Sequence, residues 1–442
     1  MEQQRIAVVG AGVSGLSAAW LLSKRHKVTV YEADDRLGGH ANTVDVETLD
    51  GRVAVDTGFI VYNVGNYPEL TSLFRHLGVD TAPTEMSFAL SMDRGAYEYS
   101  GTSADGFFGQ RSNLARPAHW RLLRDISRFF RTARNRLGCY PFDATLGAFL
   151  AGEGYSRGFV DSHIVPMGAA IWSTDMRTML DFPARSFVEF YANHGMLQFR
   201  DRPAWRTVLG GSREYIDRLV ADGGFEVQKG NPARRVVRKA DYIHITDARG
   251  GIRPFDQIVI ATHADQALGL FDEPDPLEAK LLGAFGYQSN HAILHRDPRW
   301  MPRRKRLWAS WNYLSERNAS GDGLCVTYWM NRLQPLATGT NLFVTLNPHE
   351  PIHPKAVDAE FDYDHPVFDN AALDAQKHLW AIQGLHRTWY CGSYFGYGFH
   401  EDGVQSGLAV AEQLGGTRRP WGASGLPARI ALPELPGIEA AE

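Results

Sequence analysis

The sequence predicts an α/β fold in which a Rossmann-type domain, built from a parallel sheet and a β-meander, is interleaved with an α+β domain. A strand, a glycine-rich turn and a helix open the chain, short strands recur around residues 225–262, and a last strand and helix follow residue 388. With 442 residues, 44% of them hydrophobic, the chain is long enough for two domains and too long for a small binding module. Its formal net charge of −4 gives no overall field that would attract nucleic acid.

The amino-terminal unit has the pattern of a dinucleotide-binding βαβ fragment. Residues 5–9 are a short apolar strand, residues 10–15 form a G-x-G-x-x-G turn, and residues 16–22 have helical composition. Gly10 permits the tight turn, Gly12 lets backbone amides approach a pyrophosphate, and Gly15 lets the helix pack on the strand. A second strand, residues 27–31, ends at Glu32, where an acid that bonds a ribose is expected.

The stretch after the second strand connects this fragment to a known family. Glu32 is followed by the paired-glycine turn Gly38-Gly39-His40 and then by Asp56-Thr57-Gly58-Phe59. These stretches resemble the flavin-dependent amine oxidase and carotenoid (phytoene) desaturase superfamily, in which they lie beside the flavin. The resemblance implies FAD as the cofactor, bound without a covalent link. His40 stands where most of that superfamily carries arginine, which puts one contact to the flavin phosphates in doubt.

The same resemblance implies the remaining parts of the FAD site. Val236 sits where a backbone group usually meets adenine, and Ala261-Thr262 ends the strand before the chain leaves the FAD domain. A loop from residue 392 to residue 407 is expected to set backbone amides against the flavin pyrimidine, with Ser393 replacing the usual acid. The predicted cofactor-binding residues are Gly10, Gly12, Val13, Ser14, Gly15, Glu32, Ala33, Arg36, Gly38, Gly39, His40, Thr57, Gly58, Phe59, Val236, Ala261, Thr262, Gly392, Ser393, Asp402, Gly403, Val404, Gln405 and Ser406.

The domains are expected to alternate along the chain. The FAD-binding domain takes residues 1–65, 203–285 and 385–415, and the substrate-binding domain takes residues 66–202 and 286–384. Residues 416–442 contain four prolines and few periodic apolar residues, which predicts a Pro-rich, poorly structured tail.

The candidate catalytic residues are those that could face the flavin. His400 and Glu401 form the densest titratable group before the predicted flavin loop, where a base could assist C–H removal or a turn could simply cap a helix. Asn290 and His291 lie on a substrate-domain strand that lacks the lysine typical of amine oxidases, which lowers the amine-oxidase interpretation. Aromatic residues with either a pocket or a core role are Trp172, Trp311, Tyr328, Tyr394, Phe395, Tyr397 and Phe399. Three widely spaced cysteines without a CxxC pair predict no metal site and no disulfide framework.

Residues 116–137 predict a basic amphipathic helix. Arginines 121, 124, 128 and 131 recur on one side, while an apolar stripe runs along the other. The arginine face is expected either to be solvated or to contact anionic lipid as a peripheral membrane surface. With no signal peptide and no spanning segment in the sequence, we expect a cytoplasmic protein, with membrane association as an open alternative.

The motifs at residues 291–295, 308–312 and 398–403 resemble a bacterial branch of the superfamily. Its members are encoded beside cyclopropane-fatty-acid-synthase-like methyltransferases, which implies a lipid or other hydrophobic substrate and a methyltransferase as a candidate partner. The leading hypothesis is therefore FAD-dependent dehydrogenation (desaturation) of an aliphatic lipid, such as a modified fatty acyl chain, by hydride transfer to flavin N5. The alternatives are an amine oxidase that releases imine and hydrogen peroxide, and an FAD-holding, non-catalytic lipid-binding partner of a methyltransferase.

Overall fold

The strands are distributed along the whole chain. The computed structural model describes residues 2–172, 176–198, 203–318, 321–422 and 429–431. The strands, in chain order, are β1 (Arg5–Val9), β2 (Lys27–Tyr31), β3 (Thr43–Thr48), β4 (Gly51–Asp56), β5 (Tyr62–Asn63), β6 (Thr81–Thr84), β7 (Phe88–Met92), β8 (Tyr97–Ser100), β9 (Trp205–Val208), β10 (Glu226–Gln228), β11 (Ala233–Arg238), β12 (Ile243–Asp247), β13 (Ile252–Phe255), β14 (Gln257–Ile260), β15 (Gly286–His295), β16 (Trp311–Asn318), β17 (Gly321–Trp329), β18 (Phe343–Leu346), β19 (Val357–Val367) and β20 (Thr388–Tyr390).

Helices connect these strands and cover the sheets. In chain order they are α1 (Val13–Leu22), α2 (Pro68–His76), α3 (Ala104–Phe107), α4 (Pro117–Arg136), α5 (Leu146–Gly152), α6 (Arg157–Phe159), α7 (Val165–Trp172), α8 (Met176–Asp181), α9 (Ala184–Asn193), α10 (Arg213–Asp222), α11 (Ala264–Leu268), α12 (Pro276–Leu282), α13 (Met330–Leu333), α14 (Asn370–Gln376) and α15 (His400–Gln413). A π-helical turn, Val160–Ile164, joins α6 to α7. Within the described part of the chain, none of these helices combines the length and apolar character that crossing a membrane requires.

A five-stranded parallel sheet, ordered β10-β2-β1-β14-β20, forms the nucleotide-binding half. Residues 6–9 and 258–260 of its central strands are buried, as expected for parallel strands that are covered on both faces. The strands come from widely separated parts of the chain, and the predicted α/β fold class is confirmed. One assignment changes: residues 225–228 read as part of the meander, but β10 pairs in parallel with β2, and the meander is β11-β12-β13. The apolar register of Val227 opposite Val30 explains the difference.

A mostly antiparallel seven-stranded sheet, ordered β19-β15-β18-β17-β16-β7-β8, takes its strands from residues 66–202 and 286–384. We call the part of the molecule around it the substrate half, after the predicted substrate-binding domain. Helices α4 to α9 lie in the same half, and the buried face of α4 contributes Leu122, Ile126 and Phe129 to the main hydrophobic core. The predicted helix at residues 116–137 is therefore present as α4, and its apolar stripe faces inward.

The segment predicted as a flavin loop is helical instead. Helix α15 begins at His400, so Asp402 to Ser406 form its first turns and pack against α1. A β-carbon at Gly407 would overlap the Ser14 carbonyl oxygen, and one at Gly403 would lie 2.8 Å from a Val13 methyl group. These glycines therefore allow two helices to approach closely and do not mark a loop.

Within the predicted tail, the described residues 416–422 and 429–431 contact the body of the protein. Trp421 stacks on Trp20 with ring centroids 5.8 Å apart. Arg419 forms ion pairs of 2.9 Å with both Glu412 and Glu69. Residues 423–428 and 432–442 of the predicted tail lie outside the described residues.

Candidate functional site

One large cavity of about 930 Å³ is lined by residues of both halves. This volume lies at the upper end of the range of about 300–1,000 Å³ that is typical of ligand pockets. One end is lined by the glycine turn after β1, the end of β2 and the first residues of β11. The other end extends into the substrate half as an apolar branch.

The glycine turn fits the pyrophosphate of FAD. A β-carbon at Gly12 would meet no atom within 4 Å, because this side of the residue faces the open cavity. The amino terminus of α1 has no side-chain cap, and Val13 and Ser14 line the cavity there. Free helical amides with their partial positive charge form a binding site for an anion. The turn therefore leaves room and charge for a phosphate.

Gly10 and Gly15 differ from Gly12, because a β-carbon at either position would clash with backbone atoms of the protein. Gly10 has φ +98°, and a β-carbon there would lie 2.9 Å from the Ala261 carbonyl oxygen. A β-carbon at Gly15 would overlap the carbonyl oxygen of Gly10, so Gly15 permits the close packing of α1 on the turn. Gly15 is absent from the cavity wall. Gly15 therefore has the packing role of the third glycine, and Gly12 is the residue predicted to approach the phosphate.

Glu32 and Arg36 are positioned by backbone hydrogen bonds at the nucleotide end. Glu32 accepts from the amides of Ala11 at 2.7 Å and Asp34 at 2.9 Å, and it lines the cavity where a ribose would lie. Arg36 donates to the Gly39 carbonyl at 2.7 Å and so supports the paired-glycine turn. This arrangement fits the acid–ribose contact of a dinucleotide site.

Val236 does not meet the cavity, which corrects its predicted adenine contact. Its amide donates to the Leu270 carbonyl at 2.8 Å, and its side chain is buried in the core. Ala233 and Arg234, at the start of the same strand, line the nucleotide end instead. The prediction placed the contact three residues too far along β11.

The remaining predicted cofactor residues divide between the cavity wall and the helix behind it. Those on the wall are Gly10, Gly12, Val13, Ser14, Glu32, Ala33, Arg36, Gly38, Gly39, His40, Thr57, Gly58, Phe59, Ala261, Thr262, Gly392 and Ser393. Those behind the wall, besides Gly15 and Val236, are Asp402, Gly403, Val404, Gln405 and Ser406. These five residues lie within α15. The Ser406 hydroxyl, for example, accepts a hydrogen bond from the Gly392 amide at 3.0 Å and so holds a wall residue in place.

Six histidines of the described residues line the cavity, and four of them, His40, His263, His365 and His400, are contributed by the paired-glycine turn, by the residues before α11, by strand β19 and by the start of α15. Burial is the main cause that lowers all four pKa values, to about 4 for His365 and about 3 for His400. All four imidazoles are therefore neutral at neutral pH. The rings of His263 and His365 lie 6.5 Å and 5.2 Å from the ring of His40. Among the described residues, no group of histidine, cysteine and acidic side chains is arranged to hold a metal ion.

His40 has an unsatisfied polar atom that fits a bound cofactor. Its Nε2 atom is buried and has no hydrogen-bond partner among the described residues. Tyr363, whose ring lies 5.2 Å away, is held by hydrogen bonds of 2.8 Å to Asn42 and 2.7 Å to Thr57. A bound FAD could supply the partner that this imidazole nitrogen lacks, since a neutral imidazole can donate or accept a hydrogen bond.

Only His400 of the four predicted catalytic residues lies on the cavity wall. Its ring stacks on Phe59 with centroids 3.8 Å apart and planes 14° apart, and its Nε2 atom lies 3.1 Å from the Tyr215 hydroxyl. Glu401 points away and accepts from the amides of Glu69 and Leu70, each at 3.0 Å, at the start of α2. It therefore serves as a helix cap, and the prediction of a catalytic Glu401 is corrected.

Asn290 and His291 are also placed away from the cavity wall. Asn290 is fully buried and donates to Nδ1 of His365 at 3.0 Å, so it orients a histidine that does reach the cavity. His291 is 42% exposed and pairs with Asp362 at 2.9 Å and Glu360 at 3.3 Å. Because neighbouring strand residues face opposite sides of a sheet, only one of the two can point inward.

Six of the seven predicted pocket aromatics line the cavity: Trp172, Trp311, Tyr328, Tyr394, Tyr397 and Phe399. Phe395 is 3% exposed and packs between Trp380 and Tyr394 in the core, so its predicted pocket role is corrected. Cys391 is also buried away from the wall, and burial raises the pKa of its thiol.

The apolar branch was not evident from the sequence, because its residues come from widely separated segments. It runs past Met86 and Phe88 of the sheet region and reaches Ile126 and Phe130 on the inner face of α4. The π-helical turn contributes His163 to its wall, and such turns often occur at functional sites. Sequence reasoning also missed His263, His365 and Tyr363; a single histidine on a strand gives no local signal of its orientation.

A family model described as flavin containing amine oxidoreductase matches residues 13–351. Protoporphyrinogen oxidase 2 of Arabidopsis thaliana is 60% identical over 77 residues, which are 17% of this chain and 14% of that protein. An L-amino-acid oxidase of Mus musculus is 58% identical over 43 residues, which are 10% of this chain and 7% of that protein. The matched stretches thus span a small part of these curated relatives.

Solved structures match over nearly the whole chain at low sequence identity. A fatty acid isomerase from P. acnes, which produces CLA, is 14% identical with a TM-score of 0.65 and covers 93% of this chain and 98% of its own. A putrescine oxidase bound to putrescine is 16% identical with a TM-score of 0.67 and covers 93% of this chain and 99% of its own. At these identities the likeness shows the shared fold.

Proposed function

We propose that this chain, which belongs to the flavin-containing amine oxidoreductase family, uses FAD to dehydrogenate an aliphatic lipid chain. A modified fatty acyl group is the proposed substrate. The protein is an enzyme that uses FAD, and the cofactor supplies the acceptor for a hydride. The proposal concerns the substrate, which neither the family nor the fold assigns.

The apolar branch of the cavity is the observation that carries this proposal. Its walls are aliphatic and aromatic over most of their length, from Phe190 and Met196 near the centre to Ile126 and Phe130 at α4. An apolar wall that continues from the flavin end suits a hydrocarbon chain, because burial of each methylene group contributes about 0.8 kcal/mol.

The polar groups at the centre are compatible with an uncharged reacting chain. Dehydrogenation removes a hydride and a proton from adjacent carbons, so a proton acceptor is needed besides the hydride acceptor. His400 is a neutral imidazole on the wall, and its ring is fixed by Phe59 and Tyr215. Burial lowers its pKa to about 3, which makes it a weak base at neutral pH. We therefore assign His400 to positioning the chain, and the proton passes to solvent. The described wall contains no lysine, in agreement with the absence of one from β15.

The similarity to a fatty acid isomerase also supports a lipid substrate, since that protein combines this fold with a fatty acid. Membership in a family of oxidoreductases favours catalysis over a non-catalytic, lipid-binding role. The association with a methyltransferase stays a prediction.

Anaerobic mixing of the purified yellow protein with phospholipids that carry saturated, unsaturated or methyl-branched acyl chains tests the proposal. Bleaching of the flavin absorbance, together with acyl chains that mass spectrometry finds depleted of two hydrogens, is the expected result. Protein whose FAD has been removed is the control. Unchanged acyl chains, with peroxide released from amines, would contradict the lipid proposal.

Amine oxidation is the second candidate. It is favoured by the family description and by the aromatic walls near the centre, where Tyr397 and Phe399 could frame an amine. A peroxide assay over primary, secondary and polyamine substrates distinguishes the two candidates. Rapid peroxide release with one amine class would establish this alternative.

A further inference from the structure

Helix α4 separates the apolar branch of the cavity from a basic surface. Its inner face contributes Ile126 and Phe130 to the cavity wall. On the opposite face Trp120, Arg124 and Arg131 follow one another at spacings of four and seven residues, which place them on one stripe of the helix. Arg121 is exposed beside this stripe. The same helix therefore borders both the ligand space and the exterior.

The arginines of this outer face are available to an external anion. Arg121 and Arg124 are exposed and form no ion pair with any described residue, and Arg131 bonds only to the Ser127 carbonyl of its own helix. Arg128 differs, because it pairs with Asp125, donates to the Glu153 carbonyl and covers the Tyr155 ring at 4.0 Å. It stabilises the fold and does not belong to the outer surface.

Two large apolar side chains lie next to these arginines. Trp120 is 51% exposed and Leu114 is 52% exposed. The Trp120 indole donates to the Leu114 carbonyl at 3.0 Å, so the two residues form one projection. Trp120 also packs on Phe108, with centroids 5.0 Å apart, and the preceding residue, Phe107, lines the cavity. Arginines around exposed tryptophan and leucine are the combination found in helices that lie in a membrane interface.

We propose that the outer face of α4, formed by Leu114, Trp120, Arg121, Arg124 and Arg131, docks on an anionic lipid bilayer. The arginines contact the headgroup phosphates, and Trp120 and Leu114 enter the boundary between headgroups and acyl chains. Because Phe108 packs on Trp120 and Phe107 lines the cavity, we place the entry of lipid into the apolar branch beside this pair. This entry route rests on the proposed function, whereas the docking itself does not.

Vesicle flotation tests the docking without any turnover. Vesicles of phosphatidylcholine with and without phosphatidylglycerol are mixed with the FAD-loaded protein, and the bound fraction is measured at low and high salt. We expect binding only with phosphatidylglycerol and weaker binding at high salt. Replacing Arg121 and Arg124 by glutamine should lower the affinity about thirtyfold, because each arginine contributes about fivefold near an anionic surface.

The matched control replaces Arg25 and Arg249, two exposed arginines of the nucleotide-binding half, by glutamine. It removes the same charge and should leave binding unchanged. Flavin absorbance and the melting temperature confirm that each variant is folded. Trp120→Ala should weaken binding to phosphatidylglycerol vesicles at both salt concentrations.

The docking proposal is overturned if the wild-type protein does not float with phosphatidylglycerol, or if both double variants lose binding equally. If the outer face of α4 instead binds a protein partner, the wild-type protein should not float with phosphatidylglycerol vesicles. Turnover of a detergent-dispersed lipid is measured separately: normal turnover without flotation refutes docking alone, and flotation without turnover refutes the proposed substrate alone.

Discussion

Removal of the Arg429 charge should destabilise the protein strongly, because the guanidinium neutralises a buried carboxylate. Asp402 is 0% exposed, and Arg429 lies 3.1 Å from its Oδ1 atom with only 13% of its own side chain exposed. Breaking such a pair by removing one partner costs about 3–5 kcal/mol. Asp402 keeps hydrogen bonds from the amides of Tyr397 at 3.1 Å and Phe399 at 2.8 Å. We therefore expect Arg429→Met to lower the free energy of unfolding by about 3 kcal/mol, at the lower end of that range.

Urea denaturation at neutral pH, followed by tryptophan fluorescence, measures this change. The variant Asp402→Asn/Arg429→Met should regain more than half of the loss, because it no longer buries an unpaired charge. Arg157→Met is the control: that side chain is 94% exposed in its pair with Asp161, and its loss should cost less than about 1 kcal/mol. An Arg429→Met variant within about 1 kcal/mol of the wild type would refute the reasoning.

The pH dependence gives a second readout for the same variant. Burial raises the pKa of Asp402, and the charge of Arg429 opposes that rise. Without Arg429 the folded-state pKa should rise further above the unfolded value of about 3.9. The folded state then takes up a proton, so stability is greatest at low pH and falls as the pH rises through the folded pKa. The deficit of Arg429→Met should therefore shrink as the pH is lowered from neutral.

The remaining predictions concern the cofactor and its neighbours. Gly12→Val should give folded but colourless protein, because the added methyl groups fill only the phosphate space, whereas Gly407→Val should fail to fold; a yellow Gly12→Val protein would refute the phosphate assignment. His400→Gln should retain FAD while the rate of flavin reduction by substrate falls less than about 10²-fold, because a weakly basic imidazole positions the chain and does not take the proton; a larger fall would show that His400 acts as a base. Glu401→Gln should keep the rate of flavin reduction within about threefold of the wild type, since the carboxylate caps α2. Burial raises the pKa of Glu401 to about 7, so the wild type should lose stability relative to this variant as the pH rises through 7. Acid precipitation should release the flavin into the supernatant, because Cys391 is buried behind the wall; colour in the pellet would show a covalent bond.

Local patterns predicted the framework of the nucleotide site. The strand, turn and helix at residues 5–22 require particular residues at fixed spacings, and the structure places β1 and α1 there. Gly12 and Glu32 both lie on the cavity wall, and their contacts with phosphate and ribose stay predictions. The helix at α15 was misread because Gly403 and Gly407 resemble a loop, although they serve close helix packing.

Contacts between distant segments could not be predicted in the same way. Glu401 looked like a base beside the flavin, and only the position of α2, more than 300 residues earlier, shows that it is a cap. The tail was predicted to be poorly structured because it contains several prolines and few apolar residues. That composition gives no sign that Arg429 forms an ion pair with the buried carboxylate of Asp402. His365 reaches the cavity from β19, and the strand pattern alone does not say which face is buried.

The sequence by itself determined the α/β fold and the dinucleotide turn, because backbone geometry and phosphate contacts impose spacings that a few neighbouring residues record. FAD as the cofactor followed from the resemblance to a flavin-dependent superfamily. The tertiary structure decided which imidazoles enter the cavity, which carboxylates are caps or buried ion-pair partners, and how far the apolar branch extends. These properties depend on side chains that come together from remote segments. Their burial and charge are fixed only when the sheets and helices pack.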